Sequence, residues 1–187
     1  MIRTTIALLG LSLGAACGGP DIRFAAPASV PSERIASVYD RIEVIQVGLP
    51  IYATTEEIVF QDATGAITPT EALWADEPAR AVTLQLSRDL AALTGALVAP
   101  EPWPFRDFPD AQVDVRVEDF VATAAGTFVL TGQYFVAPEE EAQGPDRAVR
   151  FSLSAPIVGE AGPRAIAAAR NAAVTQLAQQ IAANGLR

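Results

Sequence analysis

Gln112-Val-Asp-Val-Arg-Val-Glu-Asp-Phe-Val121 places Val113, Val115 and Val117 at every second position, with Asp114, Arg116 and Glu118 between them. Successive side chains of an extended backbone point to opposite faces, so this pattern is a strand with one buried face and one wet face. Two more stretches downstream read the same way: Thr127 to Val136, reached through Gly126, and Arg147 to Pro156, where Val149, Phe151 and Leu153 alternate. With the acidic loop 138–146 between the last two, the three form an antiparallel meander. The period then changes. From about Pro163 to Asn184, Ile166, Ala169, Ala173, Leu177 and Ile181 recur at helical spacing, and Gly185 ends the run.

Upstream, Pro78 suits the first turn of another helix, whose stripe is Val82, Leu86, Leu90 and Leu93 and whose stop is Gly95. Ile42 to Val47 is a strand closed by Gly48-Leu49-Pro50. Glu57 to Gln61 and Ala66 to Thr68 flank the turn Asp62-Ala-Thr-Gly65 as a hairpin. Leu97-Val98 is a short strand before the Pro-rich Pro100-Glu-Pro-Trp-Pro-Phe105 loop. The sum is a two-layer α/β sandwich of the α+β type, a mostly antiparallel sheet with two main helices, occupying residues 38–187.

The N-terminus has a different grammar. Arg3 precedes the apolar run Ile6 to Leu13, which leads into Gly14-Ala15-Ala16-Cys17. Basic, apolar and small residues in that order form a secretory signal over residues 1–16, and the run is shorter than the ~20 residues that cross a bilayer. The segment resembles the lipobox of bacterial lipoproteins, in which the first mature residue is a lipidated Cys. Leu13 stands four residues before Cys17, however, and Gly14 takes the usual Leu position. A plain signal with an incidental thiol is the alternative. Cys17 is the only cysteine and has no partner to pair with, so acylation, with chains such as palmitate, also removes a reactive thiol. Residues 17–37 are rich in Gly, Pro, Ala and Ser without periodicity, a tether with an r.m.s. reach of roughly 25 Å. Gly18 follows the Cys where Asp would favour inner-membrane retention, so the expected site is the periplasmic side of the envelope, anchored in the outer membrane.

Composition narrows the chemistry. Thirteen cations face 22 acids for a net charge of −9, and all the cations are Arg. Nucleic acid, held through clustered basic residues, is not an expected partner. With no His and no Lys in the chain, there is no imidazole base, His metal ligand, Schiff base or P-loop lysine. Only carboxylate chemistry or an oxygen-ligand cation site survives. Glu139-Glu140-Glu141 are consecutive and read as a solvated turn, as do Asp107 and Asp110 around Phe108-Pro109. No catalytic residue, metal or cofactor is expected.

Taken in order, the lipobox, the first strand, Leu49-Pro50-x-Tyr52, Ile58-Val59, Trp74-Ala75 before a helix, the Val-rich strand 113–121 and the Ala/Leu-rich last helix resemble the PqiC/YmbA lipoproteins. These are auxiliary lipoproteins of ABC-type transport systems that work with MCE proteins. The resemblance implies a membrane-anchored periplasmic component of lipid transport between membranes, with an MCE-domain protein as partner and self-association compatible with it. It also directs attention to Tyr52 and Trp74, each of which has a structural reading, as sheet-end ring and as core. Trp103, Phe105 and Phe108 cluster in a Pro-rich loop, where aromatics have less reason to be core, and are the other partner-binding candidates. A carrier enclosing acyl chains would need a continuous apolar cavity, and Asp114, Arg116 and Glu118 occupy the face that could supply it.

If Cys17 is the anchor, Cys17→Ser leaves a folded protein in the soluble periplasmic fraction. Recovery of that variant with the membranes contradicts the lipid-anchor reading.

Overall fold

A computed structural model describes residues 22–28, 31–139, 142, 144–160 and 162–187. Cys17 and the signal segment lie outside the described residues, as do Glu140 and Glu141. In chain order the elements are β1 (Arg23–Phe24), β2 (Arg41–Val44), a single 3-10 turn (Ile51–Ala53), β3 (Glu57–Gln61), β4 (Ile67–Trp74), α1 (Pro78–Thr94), β5 (Leu97–Pro100), β6 (Ala111–Thr123), β7 (Thr127–Pro138), β8 (Arg147–Pro156) and α2 (Pro163–Asn184). All eight strands form one sheet, with both helices packed against it and against each other.

β6 is the spine. One edge pairs antiparallel with β7 along nearly its whole length, and β7 pairs in turn with β8. The other edge is shared by two strands, both parallel to it: β2 against Ala111 to Val113, and β3 against Ala122 and Thr123. β5 adds to β2, β4 to β3 and β1 to β4. The meander is as the alternation predicts. The parallel pairings are not visible in any local pattern, because each is set by a partner far along the chain.

The middle of the shared edge is closed piecemeal. The Ile45 and Gly48 amides donate to the Val113 and Val115 carbonyls at 2.9 Å, and the Val117 amide donates to the Gly48 carbonyl at 2.8 Å. The next free amide, that of Phe120, donates to the Tyr52 hydroxyl at 3.1 Å. A phenol carried on the 3-10 turn thus replaces the backbone acceptor that a continuous neighbouring strand would supply.

Alternation along β6 breaks once. Val117 faces Gly132 of β7 and Asp119 faces Thr131, leaving Glu118 as an inserted residue. A bulge of this kind reverses which positions face inward. Val113, Val115 and Val117 belong to the core before it, and Phe120 and Ala122 after it. Gly132 makes the bulge possible, since its φ is +154° and a Cβ there would collide with the Arg116 carbonyl oxygen and lie 2.9 Å from the Val117 Cα.

Both helices run as their periodicity predicts. Glu77 caps α1, its carboxylate accepting from the Ala79 and Arg80 amides at 3.2 and 2.9 Å. Gly95, left-handed at φ +77°, ends the helix. Val82, Leu86, Leu90 and Leu93 of α1 are fully buried, and so are Ala173, Leu177 and Ile181 of α2. Between the helices, Asp89 accepts from the Thr175 hydroxyl at 2.9 Å and Gln85 donates to the Asn171 carbonyl at 3.0 Å.

The folded unit starts earlier than periodicity suggests. Part of the stretch expected to be tether is docked: Arg23 and Phe24 pair with Leu73 and Trp74, and the Ala75 amide donates to the Phe24 carbonyl at 3.0 Å. Arg23 pairs with Glu56 at 2.7 Å, and the Ile35 amide reaches the Leu93 carbonyl at 2.9 Å. Two strand residues are too few to show a period, so composition alone read this stretch as loop.

Gly132→Ala is expected to lower stability by about 3–4 kcal/mol, because it combines a disfavoured φ with a backbone collision. Gly65→Ala is its control, at φ +91° with open space around it, and should cost only about 1–2 kcal/mol. Equal losses in urea denaturation would show that the close approach at the bulge is not limiting.

Candidate functional site

The start of β6 and the start of β2 lie side by side, and the 101–110 loop leads into them. Asp110 fastens this corner. Its Oδ2 accepts from the Asp40 and Arg41 amides, both at 2.9 Å, and its Oδ1 accepts from Arg41 Nε at 3.1 Å and Nη2 at 2.8 Å. The Asp110 backbone also bonds Arg41 and Glu139, at 2.8 and 2.9 Å. Asp110 is therefore not the solvated turn residue its setting in the sequence suggests, whereas Asp107 is exposed and stands 3.6 Å from Arg41. Burial pushes the Asp110 carboxyl up, but the Arg41 side chain and the Arg41 and Asp40 amides outweigh that and hold it below its usual range.

Fastened there, the loop presents its aromatic residues. Trp103 is half-buried, donates from Nε1 to the Asp107 carbonyl at 2.6 Å, and meets Phe105 edge-on with ring centroids 5.1 Å apart. Phe105 is 45% exposed and Phe108 is 82% exposed. Phe108 also borders an open groove of about 1170 Å³, whose charged lining is Arg41, Arg106 and Arg187 with Asp107, Asp110 and Glu139. An exposed aromatic beside side chains of both charge signs, on a loop held by a partly exposed ion pair, is a surface suited to a protein partner.

The other two candidates sit elsewhere. Tyr52 hydrogen-bonds to Phe120, in the second half of β6, while the aromatic loop adjoins its first residue, Ala111. Burial raises the Tyr52 pKa most, with the Phe120 amide acting in the opposite direction, so the phenol is protonated at neutral pH. Trp74, at the end of β4, is 5% exposed. The Arg170 guanidinium lies 5.3 Å from its ring centroid. The structure thus brings Trp103 and Phe105 together, keeps Phe108 on the same loop beside the groove, and places Tyr52 and Trp74 elsewhere.

Arg170 was not singled out from the sequence, although a signal existed. It falls on the apolar stripe of α2, four residues after Ile166 and three before Ala173, where an ionised side chain needs a reason. Among the described residues, no three His, Cys, Asp or Glu side chains converge as a metal site, and no helix is long and apolar enough to cross a membrane.

Comparison with known proteins follows the fold closely. The family model described as the ABC-type transport auxiliary lipoprotein component matches residues 22–182. Its first matched residue immediately precedes β1, in agreement with the docked N-terminal strand. A crystal structure of an uncharacterized protein superposes with a TM-score of 0.70 at 20% identity, over 88% of this chain and 97% of the other. A crystal structure of a Xanthomonas campestris protein of the DUF330 family superposes with a TM-score of 0.60 at 16% identity, over 84% and 91%. The search of curated protein sequences gave no match.

Removing the corner carboxylate should be costly only while it is charged. A group whose carboxyl pKa is depressed on folding contributes stability above its unfolded value and loses that contribution as pH falls through the folded one. Asp110→Ala is expected to lower stability by about 1.5–3 kcal/mol near neutral pH, the range for charge-assisted hydrogen bonds. In urea titrations the difference from wild type should shrink once the pH falls below the ordinary Asp value of 3.8. A difference that persists unchanged in acid contradicts the ionic account of this corner.

Proposed function

The chain belongs to the ABC-type transport auxiliary lipoprotein components, and from that premise we propose that its domain is a non-catalytic docking module for the periplasmic part of its transporter. The family supplies a transporter as partner. In this reading that partner is an MCE-domain protein, the transported material is lipid, and Cys17 holds the module on the periplasmic face of the outer membrane.

The observation that carries the docking role is the exposed pair Phe105 and Phe108 on the loop fastened by Arg41 and Asp110. A loop held at its base loses little conformational freedom on binding, so more of the contact energy goes to affinity. Arg41, Arg106 and Arg187 border the same groove together with Asp107, Asp110 and Glu139, giving the apolar centre a rim of both charge signs. Such a polar rim around an apolar centre is the usual anatomy of a protein–protein contact. The absence of catalysis rests on composition, since a chain without His and Lys lacks the commonest proton-transfer and nucleophilic groups.

A photo-crosslinking residue placed at Phe108 should capture an MCE-domain protein in intact cells, whereas one placed at exposed Arg80 on α1 should not. Phe105→Asp with Phe108→Asp should weaken the interaction by about 2 kcal/mol or more, as expected for aromatic anchors, with the melting temperature unchanged. Crosslinking from Arg80 but not from Phe108 overturns this surface assignment.

A further inference from the structure

Arg170 lies at the floor of a second cleft. It is 4% exposed, and its Nε and Nη2 meet no hydrogen-bond acceptor among the described residues. Trp74 and Phe120 place their rings 5.3 and 5.9 Å from its Cζ. Ring faces attract the charge, but they leave the in-plane N–H donors of a guanidinium unmatched. Burial lowers the Arg170 pKa to about 10, which leaves it cationic at neutral pH.

The cleft, about 170 Å³, is lined by the chain around β1, the corner joining β4 to α1, Ala81 to Arg88 of α1, and Arg170 of α2. Phe24, Pro27, Pro78 and Leu84 give it apolar walls, and Arg88, exposed, supplies a second cation. Among the described residues, Asp76 is the one acid that lines it. That carboxylate is already engaged, accepting from the Glu77 amide at 2.9 Å and paired with Arg80. The local balance is therefore cationic at a site with apolar sides, inside a chain that is acidic overall.

We propose that this cleft binds the oxyanion end, carboxylate or phosphate, of an amphiphile. Arg170 supplies the buried positive charge, Arg88 the exposed donors, and the apolar walls the adjoining methylene groups. The volume is below the ~300–1,000 Å³ of drug-sized pockets, so the cleft holds the charged end and the first part of the chain rather than a whole lipid. The site is separate from the aromatic loop, and it stands or falls independently of the docking surface.

Trp74 is a built-in reporter once Trp103, the other tryptophan, is replaced by Phe. The purified protein is titrated with decanoate, short-chain phosphatidic acid below its micelle concentration, inorganic phosphate, and decanol as the uncharged chain. Saturable changes in Trp74 emission are expected with decanoate and phosphatidic acid, with dissociation constants at least about tenfold below that of phosphate, equivalent to 1.4 kcal/mol. Decanol should give none. Arg170→Gln should abolish the response. Arg88→Gln, at an exposed position, should weaken it about tenfold without changing the melting temperature, so the test survives if the buried variant fails to fold. Phosphate binding as tightly as the amphiphiles assigns the site to a free anion and overturns the amphiphile. No saturable response, or one indifferent to Arg88→Gln, overturns the site.

Discussion

β6 must be hydrogen-bonded along both edges, and the way its second edge is completed shapes the rest of the domain. On one side β7 does this in a single run. On the other, β2 and β3 meet opposite ends of the same strand, so the chain between them has to leave the sheet and return. Gly48 remains close enough to bond on both sides of Arg116. Pro50 and the 3-10 turn then carry the chain outward, and Tyr52 reaches back to the Phe120 amide. Without that hydroxyl a partly buried N–H would lack its partner, which costs about 1–3 kcal/mol. The Leu-Pro-x-Tyr signature is thus a backbone solution written in side chains.

The same constraint positions the two surfaces of interest. At the first residues of β6, the junction with β2 is fastened by Asp110 and Arg41, and the aromatic loop is held there. In its second half, the bulge at Glu118 turns Phe120 inward, where it meets Phe128 edge-on at 5.0 Å and contributes to the surroundings of Arg170. One long strand therefore serves as ruler for an exposed aromatic surface and for a buried cationic one. On the opposite face of the sheet, Arg116 pairs with Asp114 at 2.7 Å and lies over Phe135 at 5.0 Å.

Much of this was legible in the sequence, and the reasons for the exceptions are physical. The three meander strands and both helices follow from periodicities of two and about 3.6, which are set by local geometry. Even the ends of α1 and α2 are marked, by Pro78, Gly95 and Pro163. The parallel placement of β2 and β3 beside β6 was not legible, because no local pattern specifies which distant edge a short strand joins. β1 escaped for the same reason, its two residues being defined only by Leu73 and Trp74 opposite them. At the candidate sites, the exposed aromatics could be read from a Pro-rich loop rich in rings. The role of Asp110 depends on amides of Asp40 and Arg41, far away in sequence. Arg170 had a signal, a charge on an apolar stripe, whose significance emerges only with Trp74 and Phe120 around it.

In the proposed reading this auxiliary lipoprotein engages its transporter through the aromatic end of the sandwich, with β6 as a fixed support. Hydrogen–deuterium exchange of the domain, alone and with the proposed MCE-domain partner, tests this. Docking through that end should bring new protection across residues 101–110, with exchange in the centre of β6 unchanged. Protection confined to the β4–α1 corner, with the 101–110 loop exchanging as it does in the free protein, would contradict it.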